Sequence, residues 1–209
     1  MGNFVEVKAS KMSLMKRKLV HGIGVNDADY ITSMFDSNGK ELKCPYYRKW
    51  LAIFERCYSP RFHVRQPCYK DCTVCEGWFL FSNFKRWMQN QDWQGKDLDK
   101  DIINYGNKIY SPDNCCFVER HVNNLILDNK LIRGKYPVGV TYHKRDGVYH
   151  ARIKKCGKHI YLGSSSTPEG ASNIYKIAKV NYILEITNTL TDQRVINGLK
   201  IHARLIFNE

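Results

Sequence analysis

Residues 137–184 constrain the fold of this chain more than any other segment. They contain three runs of β-forming residues, separated by the turn signals Asp146-Gly147 and Cys156-Gly157. Turn signals of this kind favour tight hairpins, because glycine and its partners tolerate the left-handed backbone that such turns need. The three runs are Val138–Lys144, Val148–Lys155 and Lys158–Gly163. The segment therefore predicts a three-stranded antiparallel sheet.

Two helices are predicted after the sheet. Ser166 or Thr167 can cap the first, and Pro168 suits its first turn. Its apolar residues recur at helical spacing and predict a face that packs on the sheet. They are Ala171, Ile174, Tyr175, Ala178 and Tyr182. The segment 187–209 predicts a second amphipathic helix, capped by Thr191 or Asp192.

The sheet and its helix resemble the AP2 type of DNA-binding domain, whose pattern is GVxxxxxGxWxAxIxxxGKxxxLGxFxTxExAAxAY. The matching positions are Gly139-Val140, Gly147, Tyr149 in place of Trp, Ala151, Ile153, Gly157-Lys158, Leu162-Gly163, Thr167, Glu169, Ala171 and Tyr175. The resemblance implies that the sheet lies in the major groove of duplex DNA. The residues expected to contact DNA are Tyr142, His143, Lys144, Arg145, Tyr149, Arg152, Lys154 and Tyr161.

A second motif lies between Leu98 and Asn124. The stretch predicts a strand (Leu98–Ile103), a loop that contains turn-forming residues, a second strand (Cys115–Val118) and a helix (Glu119–Asn129). It resembles the ββα-metal finger of the phage HNH homing endonucleases. The order of the two motifs is similar to that of phage proteins that join an HNH finger to an AP2 domain.

The HNH resemblance implies a set of catalytic and metal-binding residues. Asp99 and Asn123 are expected to hold Mg²⁺ or Mn²⁺, which phosphodiester hydrolysis uses to activate water and stabilise the leaving oxygen. Lys100 stands where the family has its general-base histidine, and Asn114 and His121 complete the expected catalytic set. Because Asp99 and Asp101 flank Lys100, they are expected to raise its pKa and oppose a role as base.

Eight cysteines in a chain of 209 residues suggest a metal site if the compartment is reducing. Cys72 and Cys75 form a CxxC pair, and Cys115 is the candidate for a third ligand of a tetrahedral structural Zn²⁺ site. Cys57 and Cys68 are alternatives for the fourth position, with His63 and His121 as further alternative ligands. Cysteine is also a good buried apolar residue, so free thiols in a core are the alternative.

The N-terminal half predicts helices around the finger. Residues 1–43 are interpreted as a basic arm with a hairpin turn at Asp36–Gly39, flanked by strands at Tyr30–Phe35 and Lys40–Lys43. Helices are predicted over Pro45–Cys57 and Glu76–Met88, with a basic loop over residues 59–70 and a short hinge at residues 133–135. The expected organisation is α+β, with an arm at 1–43, a helical HNH-like finger domain at 44–134 and an AP2-like domain at 135–209.

A net charge of +13 favours a polyanionic partner. No apolar run is long enough for a membrane span, and the N-terminus lacks a signal-peptide pattern, so a cytoplasmic protein is expected, in a bacterial host if it is phage-encoded. The expected function is sequence-specific binding of double-stranded DNA with metal-dependent cleavage or nicking. Alternatives are a catalytically inactive DNA-binding protein on the same scaffold and an RNA-binding protein. Monomer and homodimer both stay open.

Overall fold

The computed structural model describes residues 4–127 and 134–208. The fold is mixed α+β, as predicted, and the chain divides into two compact units. The first unit contains the chain to Asp101 together with Gly106–Phe117, and the second contains Ile102–Tyr105 and the chain from Val118 onward. The predicted arm is thus part of the first unit, and the division falls at 117/118 rather than at 134/135. The hinge expected at residues 133–135 lies partly outside the described residues.

The first unit combines short helices with three two-stranded sheets. β1 pairs with β2 in an antiparallel hairpin, as predicted, β3 pairs with β5 in parallel, and β4 pairs with β6. The elements are α1 (Lys11–Met15), β1 (Ser33–Phe35), β2 (Glu41–Lys43), α2 (Pro45–Tyr58), α3 (Pro60–Arg65), β3 (Thr73–Val74), α4 (Phe81–Gln89), β4 (Asp97–Asp99), β5 (Ile109–Tyr110) and β6 (Cys116–Val118).

Aromatic side chains form the core of this unit. Trp50, Phe54 and Phe81 are fully buried, and the indole Nε1 of Trp50 donates to the carbonyl oxygen of Trp78 at 2.7 Å. This hydrogen bond satisfies the one polar atom of a buried tryptophan and ties α2 to the turn before α4. The aromatic residues of the segments predicted as helices at 45–57 and 76–88 therefore form this core.

Two predictions for the first unit were wrong. Residues 59–70 are not a loop: Pro60–Arg65 is helical because the Ser59 hydroxyl accepts from the Phe62 amide at 3.3 Å and Pro60 suits the first turn. The helix expected over Glu76–Met88 is interrupted at Leu80, whose backbone is extended. Val25 causes the interruption by pairing its amide and carbonyl with the backbone on either side of Leu80.

The strands and helix of the predicted finger are shorter than expected. β4 ends at Asp99 rather than at Ile103, because the Asp99 carboxylate accepts from the Asp101 amide at 2.7 Å and turns the chain. The helix α5 covers Arg120–Ile126, and residues 128 and 129 of its predicted end lie outside the described residues.

The second unit contains α5 and the three-stranded antiparallel sheet, followed by two helices, as predicted. The sheet consists of β7 (Val140–His143), β8 (Val148–Lys155) and β9 (Lys158–Ser165), in that order. α6 (Pro168–Thr187) packs on all three strands, and α7 (Gln193–Leu205) packs on α6. The hydroxyl of Thr167 caps α6, and the carboxylate of Asp192 caps α7.

Close packing in the second unit depends on a glycine. At Gly198 on α7, a Cβ atom would overlap the carbonyl oxygen of Ile102, so the helix needs glycine where this segment crosses it. The contact explains why Ile102–Tyr105 belongs to this unit although it lies inside the predicted finger. None of the described helices is long and apolar enough to span a membrane.

Candidate nucleic-acid interface

The two faces of the β7–β9 sheet differ in polarity. Val140, Ala151 and Ile153 point toward α6 and are buried, because side chains alternate between faces along a strand. The opposite side is called the outer face here. Its residues are Thr141, His143, Val148, His150, Arg152, Lys154, His159, Tyr161 and Ser164.

The outer face is basic and aromatic. Arg152 stands opposite Tyr161, and Lys154 stands opposite His159, and all four side chains are exposed. The sequences of β7, β8 and β9 contain basic residues but no acidic ones. A face with this composition can approach a polyanion without like-charge repulsion.

A row of rings crosses the outer face. The imidazole rings of His143 and His150 stack with centroids 4.5 Å apart, and His150 meets the Tyr161 ring edge to face at 5.1 Å. Tyr161 is 55% exposed, so its ring and hydroxyl are open to a ligand. The row lies beside Arg152, which places planar groups and a guanidinium on one surface.

The register of the sheet separates the predicted DNA-contacting residues. Tyr142 stands opposite Tyr149, on the same face as Val140 and Ala151, and their rings lie 5.0 Å apart. Tyr149 packs against the small core beneath the sheet. The structure therefore brings His143, Arg152, Lys154 and Tyr161 together on the outer face and places Tyr142 and Tyr149 on the other side.

Lys144 and Arg145 lie in the turn between β7 and β8. Both are exposed, and the Nε of Arg145 donates to the Asp146 carboxylate at 2.8 Å. The ion pair aligns the Arg145 guanidinium with the turn rather than with the strands. Because the Arg145 side chain is largely exposed to water, an anionic partner can compete with Asp146 for the guanidinium.

Lys100, at the predicted general-base position, is buried and forms hydrogen bonds within the finger loop. Its side chain is 5% exposed, and Nζ donates to the Asp101 carboxylate at 2.6 Å and to the carbonyl oxygen of Asn107 at 2.7 Å. Burial acts to lower the pKa of Lys100, but the hydrogen bond and negative charge of Asp101 outweigh it and raise the pKa. This environment favours the charged, donating form of Lys100 and opposes a role as base.

The amide side chains of the finger loop hold the loop together. Asn107 donates to the carbonyl oxygens of Lys100 and Ile109, and its own side-chain oxygen accepts from Asn114 at 3.1 Å. Asn114, predicted as a catalytic residue, thus contacts Asn107 and the backbone of Ile109. Asp99 is 9% exposed and, through its bond to the Asp101 amide, caps the turn that begins the loop.

A half-buried arginine, Arg56, lies near this loop within the first unit. Nη1 of Arg56 lies 3.5 Å from the Tyr110 hydroxyl, and its guanidinium lies 6.0 Å from the Tyr69 ring. Burial acts to lower the pKa of Arg56, but interactions with Tyr110, Tyr69 and Asp99 outweigh burial and raise the pKa above its ordinary value. Asp99 is therefore close enough to Arg56 for their charges to interact.

The remaining predicted nuclease residues lie on or beside α5 in the second unit. His121 forms an ion-pair contact with Glu119, with Nδ1 3.1 Å from the carboxylate. Asn123 has a buried side-chain oxygen that accepts no hydrogen bond within the described residues. An unpaired buried oxygen is costly, so this atom is suited to accept a hydrogen bond or to bind a cation.

The four cysteines predicted to bind zinc all lie in the first unit. Cys57, Cys72 and Cys115 are buried, and burial raises the pKa of Cys57 to about 12 and also raises that of Cys72, Cys75 and Cys115. Their sulfur atoms do not form a group of three within 4.8 Å in the described part of the chain. The cysteine zinc site stays a prediction, and this geometry suits buried thiols.

One group of potential metal ligands does occur within residues 4–127 and 134–208. Three potential ligand atoms lie within 4.8 Å of one another, one each from His143, Asp146 and His150. Asp146 and His150 were not among the predicted site residues. The sequence indicates Asp146 and His150 as possible ligands only if the hairpin is assumed. The turn then brings residue 146 close to the strand that contains residue 150.

Comparison of the chain with protein families, with curated proteins and with solved structures gives no match.

Proposed function

We propose that this protein binds double-stranded DNA in a sequence-specific manner through the outer face of its β7–β9 sheet. The observation on which the proposal depends is the grouping of Arg152, Lys154 and Tyr161 on one exposed face, in strands without acidic residues. The +13 charge of the chain supports a polyanionic partner. The resemblance to the AP2 type of domain agrees with this assignment.

The chemistry of the outer face matches the major groove. Arginine can donate two parallel hydrogen bonds to O6 and N7 of guanine, whereas lysine acts mainly on phosphates. Arg152 is accordingly assigned to base recognition and Lys154 to the backbone. His143 and Tyr161 add donors and ring surfaces for base edges and sugars. The major groove is wide enough to admit a β-ribbon, so strands can reach the bases directly.

Selection from a pool of random duplexes, followed by fluorescence anisotropy, tests the proposal. An enriched sequence motif is expected. Arg152→Ala should weaken binding to the selected duplex by about tenfold or more, the value of one bidentate contact, with a smaller effect on unselected duplexes. Lys154→Ala should weaken both equally.

The control is Lys200→Ala on α7. Lys200 is exposed, and its helix packs on α6, which covers the opposite side of the sheet. This variant should bind like the unmodified protein. Tighter binding to single-stranded RNA than to any duplex would overturn the proposal and favour RNA recognition. An absence of any enriched motif would reduce the proposal to non-specific binding.

A second candidate function is metal-dependent cleavage or nicking of the bound DNA. The unpaired buried oxygen of Asn123 favours it, since the HNH resemblance assigns that residue to a catalytic Mg²⁺ or Mn²⁺. The environment of Lys100 opposes a proton-abstracting role for that residue, so the metal itself would have to activate the water.

Nicking of supercoiled plasmid with Mg²⁺ or Mn²⁺ separates the two candidates. A nuclease should nick, and Asp99→Ala and Asn123→Ala should each abolish nicking while duplex binding is retained. Retention of tight duplex binding with no nicking at high protein concentration would leave the catalytically inactive DNA-binding protein.

A further inference from the structure

The outer face has a feature that DNA recognition does not require. The turn between β7 and β8 closes with a hydrogen bond from the Gly147 amide to the carbonyl oxygen of His143, at 3.0 Å. This turn places Asp146 beside the last residue of β7. His150, two residues into β8, faces the same side as His143 because it stands opposite Thr141, the other outer-face residue of β7.

One imidazole nitrogen of each histidine has no hydrogen-bond partner in the described residues. Nδ1 of His143 and Nδ1 of His150 are both shielded from solvent, and neither makes a hydrogen bond within the described residues. Nδ1 of His143 lies 3.1 Å from Oδ2 of Asp146, which is ion-pair distance without hydrogen-bond alignment. The other carboxylate oxygen, Oδ1, is held by Arg145. Two imidazole nitrogens and one carboxylate oxygen therefore lie close together.

We propose that His143, Asp146 and His150 form a binding site for a divalent transition-metal ion of the zinc type. Imidazole nitrogen with one carboxylate oxygen is a common donor set for Zn²⁺, and three protein ligands leave room for water. Ligand atoms bound to one ion at about 2.0–2.2 Å lie roughly 3–4 Å apart. The three atoms here lie within 4.8 Å of one another, so binding one ion brings them slightly closer and turns the two stacked rings toward the ion.

The backbone of the site is held by the sheet. His143 is the last residue of β7, and His150 is the third residue of β8, so hydrogen-bonded strands position both residues. Arg145 acts as an outer partner of the Asp146 carboxylate, an arrangement that orients metal ligands in other proteins. Folding of the sheet therefore orders the backbone of the site before any metal binds.

Titration of the full-length protein with Zn²⁺ in a calorimeter tests the proposal, together with the visible absorption of bound Co²⁺. The unmodified protein should bind one more equivalent than His150→Gln. Asp146→Asn should weaken that equivalent by about tenfold or more, the size of a typical loss at a metal site. The Co²⁺ spectrum of this equivalent should lack the near-ultraviolet band of thiolate ligands, which distinguishes it from binding at the cysteines.

The matched control is His159→Gln. His159 is an exposed histidine of the outer face that stands opposite Lys154, outside the group of three. This variant should bind Zn²⁺ like the unmodified protein. Circular dichroism of each variant without metal verifies that the sheet has formed. Equal zinc stoichiometry and affinity in the unmodified protein, His150→Gln and Asp146→Asn would overturn the proposal.

Discussion

Lys100 and Asn107 are joined by two hydrogen bonds of opposite direction. Nζ of Lys100 donates to the carbonyl oxygen of Asn107 at 2.7 Å, and Nδ2 of Asn107 donates to the carbonyl oxygen of Lys100 at 2.9 Å. Each side chain thereby satisfies the backbone of the other residue across the loop between β4 and β5. The pair makes Lys100 a positioning residue for the loop.

Replacement of Lys100 should therefore change stability. Lys100→Met keeps much of the side-chain volume but removes the donor, which leaves the Asn107 carbonyl oxygen without this partner. We expect the free energy of unfolding of the first unit to fall by about 1–3 kcal/mol, the contribution of a hydrogen bond from a charged donor, since the bond is partly shielded from water. Urea denaturation followed by tryptophan fluorescence measures it, because Trp50 and Trp78 lie in this unit's core.

Lys40→Met is the control, since Lys40 is exposed in the turn between β1 and β2. It should change the free energy of unfolding by no more than about 0.5 kcal/mol. If Lys100→Met is as stable as Lys40→Met, the two reciprocal hydrogen bonds do not stabilise the loop.

The sequence predicted best those elements that local residues determine. The turn at Cys156-Gly157 has positive φ at both residues, as a two-residue hairpin needs, and Thr167 caps its helix as expected. The break at Leu80 was missed because Val25, a residue distant in sequence, supplies the competing hydrogen bonds. Helical periodicity in residues 76–88 contains no information about that partner.

The candidate site was predicted in part for the same reason. Arg152, Lys154 and Tyr161 could be chosen from composition and from the resemblance. The face on which a strand residue lies depends on the register of the sheet. In β9 the register shifts: Gly163 pairs with Ala151, but Tyr161, and not Leu162, pairs with Arg152. A bulge of this kind reverses the alternation from that point. The turn chemistry alone does not specify it.

The cap of α7 gives a prediction with a pH dependence. Oδ1 of Asp192 accepts from the Arg194 amide at 2.9 Å. Burial acts to raise the pKa of Asp192, but the hydrogen bonds and charge of Arg194 lower it below its ordinary value. A lowered pKa stabilises the fold above the unfolded value of about 3.9, and the contribution disappears as the pH falls through the folded pKa.

Asp192→Ala should therefore lower the stability of the second unit at pH 7 by about 1 kcal/mol, as for other N-caps. The difference from the unmodified protein should shrink between about pH 5 and about pH 2. Hydrogen exchange of the α7 amides measures it. Asp192→Asn separates the two contributions, because it keeps an acceptor oxygen without the charge. A pH-independent difference would show that the charge of Asp192 has no effect.

The proposed interface predicts a specific salt dependence. Each phosphate contact made by a cation adds about 0.9 to the slope of log K against log salt concentration for duplex DNA. Lys154→Gln should reduce this slope by about one contact, whereas Lys200→Gln should leave it unchanged. Anisotropy titrations at several salt concentrations measure the slopes. Identical slopes for the two variants would remove Lys154 from the interface.

Gly139, the residue before β7, should tolerate no side chain. Its φ is +77°, and a Cβ atom there would overlap the ring of Tyr175 on α6. Gly139→Ala adds left-handed backbone strain to overpacking, so we expect a loss of about 2–4 kcal/mol in the free energy of unfolding of the second unit.

Gly157→Asn is the matched comparison for Gly139→Ala. Gly157 has a similar φ of +81°, but a Cβ atom there would meet nothing within 4 Å, and asparagine adopts left-handed backbone more readily than other residues. It should lose much less stability in thermal unfolding followed by circular dichroism. Adding Tyr175→Leu to Gly139→Ala should recover part of the loss, because the smaller side chain relieves the overlap. No recovery would assign the whole cost to the backbone of residue 139 and none to its packing against α6.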